Sequence, residues 1–101
     1  VINNKGLADL YKRAYLTWGI DAQVMMVIEE LAELTQALSK SYRKTFVGAQ
    51  NELIDEFTDV QIMMEQLEII LSDQLIDFES CVSKKRTEKL SRLRDMLEAT
   101  P

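Results

Sequence analysis

Between Gly19 and Gly48, and again from Gly48 to the terminal Pro101, the chain contains neither glycine nor proline. Breakers that rare make long helices the default fold. Leu7, Leu10, Ala14 and Leu16 or Trp18 predict a short amphipathic helix ending near Gly19. Asp21 is a suitable N-cap for a second helix through Tyr42 or slightly beyond, and 44–48 reads as a connection. A third helix is expected from about Ala49 to Leu71, and a fourth, capped by Ser72 or Asp73, to about Leu97. No strand-period alternation of useful length interrupts this pattern. The expectation is all-α: a four-helix bundle-like subunit forming one domain over 1–101.

After Asp59 the third helix is apolar almost all round, and such a helix requires burial on several sides. One small subunit covers only part of that surface, so a homodimer or tetramer is expected. In the fourth helix an early stripe of Leu75, Phe78 and Val82 gives way to "KKRTEK", Lys84 to Lys89, and then to Leu90, Leu93 and Leu97. The basic segment is either a solvated face or an edge able to meet phosphate.

Composition removes several classes of function. Net charge is −5, which argues against a nucleic-acid backbone binder. There is no histidine, which excludes His-based acid–base catalysis, Ser-His-Asp triads and His-containing metal sites. Any metal would be a hard cation held by oxygen, magnesium or manganese. The single cysteine, Cys81, rules out an intrachain disulfide and reads as a small buried hydrophobe. No apolar run approaches the roughly 18 residues of a membrane span. No signal peptide is visible, although the sequence starts at Val1 without Met, and cytoplasmic residence is the default expectation.

The carboxylates carry the chemistry. Residues three apart share a helix face, which pairs Glu30 with Glu33 and Glu56 with Asp59. Both pairs run into apolar stripes, Met26 and Ala37 in one helix, Met63 and Ile70 in the other. Acids aimed where a core should be are costly unless something positive meets them. They either lie on solvated faces, bridged to Lys40, Arg43 or Lys44, or converge between antiparallel helices as a divalent-cation site.

"EELAEL", Glu29 to Leu34, followed by "EFTDV", Glu56 to Val60, resembles the E-E-x-x-E … E-x-x-D signature of the MazG-like all-α nucleoside triphosphate pyrophosphohydrolases. "TEKLSR", Thr87 to Arg92, looks like the family's N-E-K-F-x-R stretch, with Thr87 in place of Asn. The match covers roughly 20–93. It implies a Mg²⁺-dependent hydrolase (Mn²⁺ possible as a substitute) cleaving a nucleoside triphosphate between its α and β phosphates, yielding monophosphate and pyrophosphate. It also implies Glu30, Glu33, Glu56 and Asp59 as metal ligands, and Glu29 or Glu33 as general base. Lys84, Lys85, Lys89 and Arg92 would meet phosphate oxygens, and Trp18 and Met26 are eligible to line a base pocket, as are Tyr15 and Phe46. Family members are dimers or dimers of dimers. The rival readings are a non-enzymatic helical module with an acidic docking face, and a related fold that binds nucleotide without turnover.

Overall fold

The structure is a computed structural model describing residues 4–44 and 50–101. Among the described residues it contains four helices and no strand: α1 (Lys5–Trp18), α2 (Ile20–Lys44), α3 (Gln50–Gln74) and α4 (Phe78–Glu98). The chain divides into two compact units, one ending at Ile70 and the other running from Leu71 to Pro101. The connection expected at 44–48, and Phe46 with it, falls largely outside the described residues.

Asn4 starts α1, its Oδ1 accepting from the Leu7 amide at 3.1 Å, a standard N-cap. Gly19 ends it at φ 90°, a conformation costly for a residue with a Cβ. Its N–H donates to the Tyr15 carbonyl and its own carbonyl accepts from the Gln23 amide. One residue therefore joins the two helices, and α2 starts at Ile20. Asp21 accordingly sits inside the first turn rather than at the cap, where its charge still favours the helix dipole.

Within the first unit, the least exposed positions of α2 include Ile20, Gln23, Val27, Glu30, Leu34, Ala37 and Ser41. Those of α3 include Leu53, Glu56, Val60, Met63, Leu67 and Ile70. Both sets step by alternating threes and fours, the 3.5-residue repeat of helices packed along a seam. The direction follows from two contacts. Glu33 meets Glu56, and Lys40 reaches Glu52 at 3.7 Å, so advancing along α2 means retreating along α3. The two helices are antiparallel. Ala37 and Ser41, 2% and 0% exposed, supply small side chains where the axes can approach closely.

The buried face of α1 is Tyr11 and Tyr15, flanked by half-buried Leu7 and Ala14, whereas Leu10, Leu16 and Trp18 are exposed. The expected stripe was therefore rotated by about one position. Tyrosine buries a large ring and keeps a polar tip, and here the tip has a partner. The Tyr11 hydroxyl donates to Glu65 Oε1 at 2.8 Å, tying α1 to α3.

In the second unit α3 runs on to Gln74, so Ser72 and Asp73 lie inside it and cap nothing. Residues 75–77 make the turn, which moves Leu75 out of the expected early stripe of the fourth helix. Asp77 occupies the N-cap of α4 at φ 54°, and its carbonyl accepts from the Cys81 amide and the Ser80 hydroxyl. Ser72 Oγ donates to Glu79 Oε1 at 3.4 Å across the turn. No residue of α4 is buried, and this overturns the reading of Cys81 as a core hydrophobe: the thiol is exposed.

Burial and the Glu65 charge push the Tyr11 hydroxyl up to about 12 from its ordinary 10. A group that holds its proton more tightly when folded stabilises the fold below its ordinary pKa. That stability is lost as pH climbs from about 10 through about 12. Replacing Tyr11 by Phe removes a hydrogen bond to a charged acceptor, worth about 1.5–3 kcal/mol. Urea unfolding at neutral pH should show a loss of that order, and the variant should lack the wild type's extra decline above pH 10.

Candidate functional site

Glu30 and Glu56 are seam residues, placed by the same alternation that buries Val27, Val60 and Met63. An apolar side chain in a seam typically contributes roughly 1.5–3 kcal/mol. At these two positions the helices carry half-buried carboxyls instead. Glu33, three residues beyond Glu30, is exposed at the seam's edge and completes a triad with the other two. One carboxylate oxygen from each of Glu30, Glu33 and Glu56 lies within 4.8 Å of the others.

Two oxygens of this group, Glu30 Oε2 and Glu56 Oε2, are buried without a hydrogen-bond partner. Native interiors rarely tolerate that for acceptors bearing charge. The Glu30 carboxyl titrates above the ordinary 4.5, first because of burial, then because of the charges of Glu33, Asp59 and Glu29. Glu56 is pushed up as well, first by burial and then by the charge of Glu33, with a hydrogen bond to Glu33 and the charges of Glu30 and Asp59 adding to it. Two carboxyls hydrogen-bond only when one carries a proton. Without a cation, three carboxyls this close repel one another, and the two in the seam also bear the cost of burial.

Asp59 stands outside the triad, exposed on α3, yet close enough for its charge to be felt by Glu30 and Glu56. Glu29 is exposed and acts on Glu30 through charge alone. Two further acids of α3 behave as an ordinary solvated face: Glu52 is bridged to Lys40, and Asp55 is exposed. The donor set is all oxygen and all anionic, the chemistry that suits a small hard divalent cation, although exposed acidic groups commonly occur without one.

Met26 lies one turn before Glu30 on α2 and is 43% exposed, and Trp18, the last residue of α1, is 66% exposed. Both are open to a ligand. Tyr15, in contrast, belongs to the core. Lys84, Lys85, Lys89 and Arg92 are exposed residues of α4, in the second unit. Lys85 and Lys89 share one face there with Arg86, Val82 and Leu90. Arg86 was not singled out from the sequence, although it sits inside the basic run. Thr87 donates its hydroxyl to the Ser83 carbonyl at 3.1 Å, a bond within its own helix.

The raised carboxyls have a sign-definite consequence for the metal-free chain. Both hold protons more tightly folded than unfolded, so their contribution to stability is best below pH 4.5. It falls as pH rises from there through their raised values, and the penalty is complete above them. In chelator, Glu56→Gln should be more stable than wild type at neutral pH, and the advantage should shrink to nothing toward pH 4 and below. Parallel urea titrations across that range give the difference directly. An advantage independent of pH would show that the carboxyl charges are not the cause. No family model, no curated protein and no solved structure matches the chain.

Proposed function

We propose that the chain is a Mg²⁺-dependent nucleoside triphosphate pyrophosphohydrolase that releases monophosphate and pyrophosphate. The observation that carries this reading is the convergence of Glu30, Glu33 and Glu56 from two antiparallel helices, with orphaned oxygens on the two seam residues. The resemblance of 29–34 and 56–60 to the MazG-like signature supports it independently, because three of that signature's acids are the ones that meet.

In this reading Glu30, Glu33 and Glu56 hold magnesium, with Asp59 as a fourth acid at the edge. When bound, the cation supplies Lewis-acid polarisation of phosphoryl oxygens and lowers the pKa of a bound water. The side chains do the rest. Glu33, with a carboxylate oxygen within 4.8 Å of both seam glutamates, serves as a ligand. Glu29, outside the triad and exposed, serves as the general base that accepts a proton from water. The resemblance assigns the β and γ phosphates to Lys84, Lys85, Lys89 and Arg92 of the second unit, with Arg92 able to bond two oxygens at once. Trp18 and Met26 offer apolar surface to the base. The working form is a homo-oligomer.

A panel of nucleoside triphosphates with Mg²⁺ tests the reaction. Pyrophosphate should appear in equal amount with monophosphate, whereas diphosphate and orthophosphate as primary products would exclude this chemistry. Glu56→Gln tests the site. Loss of groups that merely orient metal ligands costs about 10–100-fold, and loss of a ligand should cost at least that. Wild type should gain thermal stability on adding Mg²⁺ and the variant much less. Normal turnover and an equal gain in the variant would make the acidic surface a docking face instead.

A further inference from the structure

Half of the chain's twelve cations lie on α4: Lys84, Lys85, Arg86, Lys89, Arg92 and Arg94. They do not share one side of it. Val82, Lys85, Arg86, Lys89 and Leu90 stand at i, i+3, i+4, i+7 and i+8, a single helix face. These five border one groove of about 340 Å³. Lys84 is two residues before Arg86, which places it roughly 200° round the helix and outside the groove. Glu88, two residues after Arg86, is across the helix for the same reason. Glu79, closer in phase, accepts a hydrogen bond from Ser72 instead. Lys85, Arg86 and Lys89 are all exposed, and among the described residues none of them is ion-paired.

Like charges one turn apart on a helix repel, so three unpaired cations on one face are a cost that an anion would relieve. We propose that Arg86, with Lys85 and Lys89, holds a polyphosphate in this groove, and that Arg86 is the residue on which its recognition turns. That the polyphosphate is a nucleoside triphosphate's rests on the hydrolase reading; the grip on the phosphates does not. The spacing selects the ligand. A lone carboxylate satisfies one cation, whereas a polyphosphate carries charge on linked groups that reach side chains rooted about 5–6 Å apart. Lys85 and Lys89 serve as point charges, and the planar fork of Arg86 bonds two phosphate oxygens at once. Val82 and Leu90, at the two ends of the groove, keep water from the flanks of the charges and strengthen their attraction. The resemblance passes over Arg86 and includes Lys84 because a motif records order along the chain and not the side of the helix.

Calorimetric titration of inorganic triphosphate into the full chain, in chelator and at low salt, reads this groove without metal at the carboxylates. Wild type should bind. Arg86→Ala should weaken binding about tenfold, the scale of a lost hydrogen bond to a charged group, and Arg86→Lys should recover only part of it. Lys84→Ala should lose less than Arg86→Ala. Arg94→Ala removes the same charge from another side of the helix and should bind as wild type does. A wild type that fails to bind overturns the proposal. So do equal losses in Arg86→Ala and Arg94→Ala, the mark of a diffuse field. Phosphatidate vesicles test the other source of phosphate: dependence on Arg86 there, and not with triphosphate, would give the groove to a lipid headgroup and overturn the assignment. With Mg²⁺ and a nucleoside triphosphate, Arg86→Ala should raise KM about tenfold while Arg94→Ala does not. Absence of turnover in wild type would sink the proposed reaction, and the triphosphate titration would still decide the groove.

Discussion

Two carboxylates in a helix–helix seam set the terms for the rest of this molecule. Glu30 and Glu56 occupy positions that the repeat assigns to the core, and their neighbours along the seam, Val27, Val60 and Met63, are buried as expected. The helices could not be slipped to expose the acids without exposing those apolar residues too. A shift of one position on either helix would trade the whole buried stripe for its neighbour. The packing thus holds the acids together against their mutual repulsion, and shared protons or a cation must offset the remainder.

The acid pairs were legible because their signal is local. Glu30 with Glu33, and Glu56 with Asp59, follow from helical spacing alone, and the charges of Glu33 and Asp59 act on both Glu30 and Glu56. What spacing could not rank was which acid lies in the seam. That needs the partner helix, and it separates Glu56 from Asp59, which the sequence paired on one face. The Tyr11–Glu65 bond was illegible for the same reason, since its partners are 54 residues apart. Hydrophobicity misled at α1, where Leu10, Leu16 and Trp18 lie outside and two tyrosines inside. It misled again at Cys81, because an apolar spacing on α4 does not bring a partner with it. The end of α3 was misjudged because Ser72 has a capping side chain, but helix caps also need a chain that turns, and the turn comes after Gln74.

The α2–α3 pair is two-sided in a way that composition conceals. Overall apolar and charged content is ordinary, yet one flank of the pair carries Glu33 and Asp59 and the other is uncharged and mostly apolar, with Leu31, Leu38, Ile54 and Phe57 exposed. Segregation of this kind lets a single pair of helices meet a charged ligand on one side and an uncharged surface on the other. Substitutions on the two flanks are far enough apart in role to be altered separately.

Gly19 has a mechanical meaning beyond its role as a stop. It is the whole of the link between α1 and α2, and its peptide groups are bonded on both sides, to Tyr15 and to Gln23. A link that short and that fully bonded transmits torque. Twisting α2 about its axis, the motion that would swing Glu30 out of the seam, would drag the end of α1 with it. Tyr11, anchored to Glu65 on the third helix, resists from the far end. The elbow and the tyrosine together act as a brace that fixes the rotational setting of α2, and with it the aim of its carboxylates.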